Sequence, residues 1–271
     1  MNPYAVAVVT RILYAGDTRL DGAAAYLAGV LAHAGLPFDY VASDAPLRPS
    51  LKKAEPRLYI ISDYPVKNLT DADFRRIVED VESGGGLLMI GGWESFHGAA
   101  GEYHESPLAD VLPVHMQASD DRINSPQPCL LEKRNEHPIL NGLPLEHPPG
   151  IGGYNLVRPK ADATVLLAAR HFAVDVRQGD DSKYRPGDDR FENRCVFTPG
   201  DAAPLLVVGR HGQGRATAFT SDVAPHWVGG LVDWGPERVR VQAPGANDIE
   251  VGSHYVELFS RVVRWTMGEL P

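Results

Sequence analysis

Cysteine is scarce in this chain. The two present in 271 residues, Cys129 and Cys195, form neither a CxxC pair nor any other metal spacing, which excludes a disulfide framework and a thiolate zinc centre. Long apolar runs are missing too. The opening stretch Tyr4 to Thr10 falls far short of the roughly 20 residues of a membrane helix, and it lacks the basic flank and cleavage site of a secretory leader. Positive charge is in deficit. A formal net charge of -9 argues against nucleic acid or an anionic membrane as the main partner, because both require a basic surface. The expectation is a cytoplasmic protein with a small-molecule partner, and composition leaves self-association into a homo-oligomer open. No HExxH or other tight helical pair is present, so no metal and no cofactor is expected, although Glu94, His97, His104, Asp222 and His226 are ligand-type residues. Gly212-Gln213-Gly214 looks like half of a phosphate loop, but it stands between two strand patterns with no helix after it, and reads as a hairpin turn.

What is present alternates strand and helix patterns. Tyr4 to Thr10 reads as a first strand, and Asp21 to Ala34, rich in helix formers and closed by Gly35, as the first helix. Phe38 to Val41 and Arg57 to Ser62 read as strands, joined by the proline-rich stretch Ala45 to Pro56. Thr70 caps a helix through Val81, with Asp71 and Asp73 in its first turn, where the helix dipole favours anions. Leu87-Leu88-Met89-Ile90 follows Gly84-Gly85-Gly86 and reads as a central strand buried on both faces. Beyond it come a short helix and edge segment within Ser106 to Val114, a turn-rich excursion from Glu136 to Pro144, and a strand over Val165 to Ala169. Leu205 to Gly209 and Arg215 to Thr220 form a hairpin. His171 to Pro199, crowded with Asp, Arg and Gly, reads as a long surface loop, and Ser253 to Met267 as a closing amphipathic helix. Strand alternating with helix specifies an α/β protein with a mostly parallel sheet covered by helices on both faces. One elaborated domain spans residues 1 to 271, with insertions at about 171 to 200 and 228 to 252.

In such sheets, ligands gather beyond the carboxyl ends of the strands. After Ile90 that position offers Gly91, Gly92, Trp93, Glu94, Ser95 and His97, with His104 a few residues on, which suits a ligand pocket or an acid/base site. A glycine pair there fits an abrupt turn that needs a positive φ or a close backbone approach. A second polar cluster, Asp222, His226 and Trp227, ends the strand Arg215 to Thr220. If Leu205 to Gly209 is the strand running against the others, the two clusters emerge on one side and form one site. Glu94, Ser95, His97 and His226 are then the candidate catalytic groups, and Gly91, Gly92, Trp93, His104, Asp222 and Trp227 the ligand-binding ones. In that arrangement, His226 or Asp222 should approach Glu94, Ser95 or His97, and the insertion Val228 to Gly252, with Trp234, should fold over the opening as a lid.

Four segments taken in order, Gly84 to Gly98, Pro107 to Val114, His137 to Leu143, and Gly212 to Arg215 followed by Thr220 to Trp227, resemble the putative glutamine amidotransferase family. That family is a branch of the class I glutamine amidotransferase-like superfamily and is also similar to trehalose-utilisation-like proteins. The resemblance implies a three-layer flavodoxin-like domain whose strand ending near Gly91 leads into what, in true amidotransferases, is a nucleophile elbow carrying cysteine. This chain has no cysteine there, and Val228 stands where the family's His-x-Glu pair would place its carboxylate after His226. Glutamine hydrolysis needs a thiolate, a base and an oxyanion hole together. The expectation is therefore a protein without glutaminase activity that binds a sugar or a carboxylate. Two alternatives stand beside it: a hydrolase or lyase using Glu94, His97 and His226 as acid/base groups or metal ligands, and a non-catalytic interaction module.

Overall fold

A computed structural model describes residues 12–52, 55–177 and 194–271. The strand expected over Tyr4 to Thr10 lies outside the described residues. The first described strand is β1 (Ile12–Gly16), an apolar run buried along its whole length. Helix α1 (Ala24–His33), strand β2 (Phe38–Val41), the short helix α2 (Arg48–Leu51) and strand β3 (Leu58–Ser62) follow. Helix α3 (Asp71–Glu82) begins where Thr70 predicts, and the Asp73 carboxylate accepts the Thr70 amide at 2.8 Å, closing a capping box. Strand β4 (Gly86–Ile90) is fully buried, as its unbroken apolar run requires.

The chain continues through α4 (Leu108–Val111) and the two-residue β5 (Val114–His115) to the long β6 (Arg122–Lys133) and β7 (Gly150–Asn155). Then come β8 (Arg158–Pro159), which pairs with β5, and the longest strands, β9 (Thr164–Arg177) and β10 (Arg194–His211). Strand β11 (Gly214–Phe219) pairs with β10 across a turn at Gly212 and Gln213. Helix α5 (Pro225–Val228), the hairpin β12 (Arg238–Val241) and β13 (Ile249–Gly252), and helix α6 (Ser253–Thr266) complete the chain.

The nine-stranded sheet has the order β2-β1-β3-β4-β11-β10-β9-β6-β7. From β2 to β11 every neighbouring pair is parallel, and from β11 to β7 every pair is antiparallel. One core joins the sheet to α1 and α6, and a second joins the opposite face to α3 and α4, giving the three-layer α/β architecture. The antiparallel part exceeds the hairpin expected from sequence. Residues 171–177 and 194–200, read as loop for their Asp, Arg and Gly content, extend β9 and β10 as a two-stranded ribbon. Strands β6 and β7 went unread because polar and proline residues interrupt the alternation of β6, and three glycines in six residues make β7 look like a turn.

The antiparallel half curls back on the parallel half. The outer edge of β7 meets the chain leaving β11: the Asn155 amide donates to the Thr220 carbonyl at 2.8 Å, and the Ser221 hydroxyl to the Gly153 carbonyl at 2.8 Å. The Val228 to Gly252 segment is not a free lid. Trp234 is buried against His254, Val241 packs on Gly29 of α1, and Asn247 is tied to the Leu20 and Asp21 carbonyls. Its apolar residues serve the α1 and α6 face. No helix among the described residues is long and apolar enough to cross a membrane.

Candidate functional site

Because β1, β3, β4 and β11 run in parallel, the residues that follow them emerge at one edge. The condition set by sequence holds: β10 is the strand that runs against the set, and the loops after Ile90 and Thr220 leave side by side. The Gly91 amide donates to the Ser221 carbonyl at 3.0 Å, and the Trp93 ring meets His226 edge to face, with centroids 6.0 Å apart.

Three aspartates converge beneath these loops. Asp17 follows β1, Asp63 follows β3 and Asp222 follows β11. Asp17 is buried and accepts hydrogen bonds from the Tyr14 hydroxyl and, at 2.9 Å, from the Ser62 hydroxyl. Asp222 is buried too, and its Oδ1 accepts the Val223 and Ala224 amides at 2.6 and 2.9 Å. Asp63 Oδ1 accepts the Glu94 amide at 2.7 Å, and the adjacent Trp93 amide also favours the charged carboxylate. Burial, followed by the charge of Asp17, pushes the Asp63 carboxyl up to about 7. Asp17 and Asp222 shift the same way, each first through burial and then through a neighbouring aspartate.

The backbone is strained at this edge. All five described non-glycine residues with positive φ lie in its loops: Asp17, Thr18, Asp63, Phe96 and Glu102. Each such residue costs on the order of 1 kcal/mol or more and persists only where its surroundings over-determine it, commonly at ligand sites. The glycine pair serves close approach. A Cβ on Gly91 would lie 2.0 Å from the Thr220 carbonyl oxygen, and one on Gly92, at φ +155°, 2.1 Å from Asp63 Oδ1. Asn155, fully buried at the end of β7, accepts the Gly92 amide at 2.9 Å and donates to the Gly92 carbonyl at 3.1 Å and to Asp121 at 2.7 Å. Asp121 in turn accepts the amides of His97 and Gly98.

The residues singled out from sequence divide among several positions. Glu94 lies close enough to Asp63 for its charge to be felt. Ser95 is buried, and its Oγ accepts the Asp63 amide at 2.9 Å, so it fastens one loop to the next. His97 stacks against His104, with centroids 4.7 Å apart, and His104 Nδ1 is buried with no hydrogen-bond partner. Trp93 is 46% exposed, with the Arg122 guanidinium 4.3 Å from its ring centroid. Trp227 points elsewhere: its indole packs on Gly153 and donates to Asn124 at 2.7 Å, underpinning β7. Asp222 lies within electrostatic reach of Asp63 and Asp17, and the two loops touch through the Gly91 amide on the Ser221 carbonyl and through the Trp93 and His226 rings. Asp17, Asp63, Asp121 and Asn155 were not read from sequence. The signal for Asp63 was available, since it directly follows the apolar run Leu58 to Ser62 at the same edge as Gly91.

The putative glutamine amidotransferase family matches residues 59–174 and 192–238, more than half of the chain. The chain belongs to this family. Among solved structures, this family member is similar to the cytoplasmic protein STM3548 from Salmonella typhimurium, at 25% identity and a TM-score of 0.67, over 94% of this chain and 98% of that one. The cytoplasmic protein STM1381 from Salmonella typhimurium LT2 matches at 24% identity and 0.67 over the same shares, and a putative ThuA-like protein from Parabacteroides merdae at 14% and 0.55, over 96% and 90%. No curated protein matches this chain. For a member of an amidotransferase family, the cysteines are misplaced: Cys129 is buried within β6 and Cys195 is exposed within β10, both inside strands of the antiparallel half. Among the described residues, no group of three or more His, Cys, Asp or Glu is arranged to hold a metal ion.

Proposed function

We propose that this family member binds a small polyhydroxylated ligand of the sugar class at the strand ends and does not hydrolyse glutamine. One observation carries the reading: the convergence of Asp17, Asp63 and Asp222 from three parallel strands. Carboxyl groups packed in this way accept hydrogen bonds from hydroxyls and, where protonated, donate to them. They repel an anion, so of the two ligand classes raised by the sequence the sugar is favoured over the carboxylate. Trp93 and His226 are exposed on the loops that carry these aspartates, and the indole offers an apolar face to ring C–H groups. Glutamine hydrolysis lacks its nucleophile, because neither cysteine is near these loops and the Ser95 hydroxyl is engaged with the Asp63 amide.

The test is a thermal-shift panel of neutral sugars and polyols against simple carboxylic acids at neutral pH, followed by calorimetry. A neutral polyol should stabilise the wild type, with the effect lost in Asp222→Ala, and stabilisation by carboxylates alone would refute the reading. Glutamine should release no ammonia above background, and Cys129→Ser and Cys195→Ser should change nothing. A second reading, acid/base catalysis of hydrolysis or elimination on the same ligand, is favoured by the Asp63 carboxyl standing at about 7, where it can both give and take a proton. Product formation from whichever polyol binds separates the two.

A further inference from the structure

The loop after β4 has a backbone arrangement suited to an anion. The amide of Glu94 is aimed at the Asp63 carboxylate and the preceding amide of Trp93 favours its charge, and successive amides aimed in this way make an anion-binding concavity. That point is filled by the chain itself. Asp63 Oδ1 accepts the Glu94 amide at 2.7 Å, the Trp93 amide beside it favours the charged carboxylate, and only a glycine at position 92 leaves room for it, since a Cβ there would lie 2.1 Å from Oδ1. Asp63 is held in place from both sides. Its own amide donates to Ser95 Oγ at 2.9 Å, its carbonyl accepts the Ser43 hydroxyl at 2.6 Å, and it adopts φ +44° to make the approach.

We propose that the Asp63 carboxyl group is a built-in occupant of the amide nest after β4, and that this occupancy is the specificity determinant of the strand-end site: it bars anionic ligands and presents a carboxyl to hydroxyl groups. This rests on the reading of the strand ends as the ligand site. With the nest filled, an incoming carboxylate finds no free amide there and meets Asp17, Asp222 and Glu94 around Asp63. A hydroxyl finds carboxyl oxygens to donate to. The substitution pair that separates shape from charge is Asp63→Gly, which empties the nest and suits the positive φ, and Asp63→Asn, which keeps it filled with a neutral oxygen.

Acetate is the deleted side chain supplied in solution. It should raise the melting midpoint of Asp63→Gly by about 3 °C at ten times its Kd, while the wild type and Asp63→Asn stay unmoved and the bulkier pivalate does nothing. Equal responses of Asp63→Gly and wild type to acetate, or a gain in Asp63→Asn matching that of Asp63→Gly, would overturn the proposal. The wild type gives a second measurement should Asp63→Gly not fold. The amide resonances of Trp93 and Glu94 should shift together with the Asp63 carboxyl carbon in one titration, and independent movement overturns the proposal equally. Rescue by acetate without sugar binding by the wild type leaves the nest filled and removes the proposed ligand. Sugar binding without rescue does the reverse.

Discussion

Replacing Asn155 by alanine removes a joint between the two halves of the sheet. Its side chain makes three hydrogen bonds, two to the backbone of Gly92 and one to the Asp121 carboxylate, all within the buried interior. A neutral hydrogen bond contributes about 1 kcal/mol and one to a charged partner about 1.5–3, and a polar group left buried without a partner loses its share of solvation as well. The sum for Asn155→Ala is a loss of about 3–5 kcal/mol, a fall in melting temperature on the order of 10 °C for a chain of this size. Asp121 keeps the amides of His97 and Gly98, so the loop loosens at Gly92 first. Asn155→Asp preserves the shape but sets a second carboxylate against Asp121. Its deficit should be as large at neutral pH and shrink on acidification. Urea unfolding followed by circular dichroism, run at two pH values, measures both variants. A loss below about 1 kcal/mol for Asn155→Ala would refute the reasoning, because a solvated or redundant joint gives that result.

Two further outcomes follow from the same edge. Gly92→Val should destabilise the fold and abolish polyol binding, since its Cβ would fall onto the Asp63 carboxylate; chemical denaturation and calorimetry report the two effects, and tolerance of valine would count against the packed loop. The Asp63 carboxyl is raised from 3.8 to about 7, so between those values the folded state binds more protons than the unfolded one, and its contribution to stability falls as pH rises through the window. The melting temperature should therefore drop between pH 5 and pH 7 more steeply in the wild type than in Asp63→Asn, and equal slopes would assign the effect to other groups.

The parallel half was legible because its strands are short, apolar and bounded by glycine or a capping residue. Thr70 marked the start of α3, and Leu87 to Ile90 marked the strand β4 that leads into the candidate site. The juxtaposition of the Gly91 and Ser221 loops followed from strand direction alone. The antiparallel half was opaque for a physical reason. A half-exposed strand such as Arg122–Lys133 carries two prolines and several polar residues, and takes its partners from strands far away in the chain rather than from its own pattern. Asp17 was hidden because the short run Ile12–Gly16 before it was not recognised as a strand, so nothing marked the residue after it as a strand end. Asn155 carries no local signal at all, since its role depends on Gly92, 63 residues distant in sequence.

The return of β7 onto the chain leaving β11 also sets an order of events during synthesis. Asp17, Asp63 and the Gly91 to Gly98 loop leave the ribosome early, yet the loop acquires its fastening only when Asn155 and Asp121 have been made, and Asn155 is itself anchored by Thr220. Contacts spanning so much of the chain form late, after the cost of closing the intervening loops has been met. The nascent chain can assemble its first strands and helices and still lack the assembled strand-end edge until Thr220 has emerged. A fragment ending before residue 220 would then keep helical content while lacking the fastenings of Asn155 to Thr220 and of Ser221 to Gly153 at the strand-end loops.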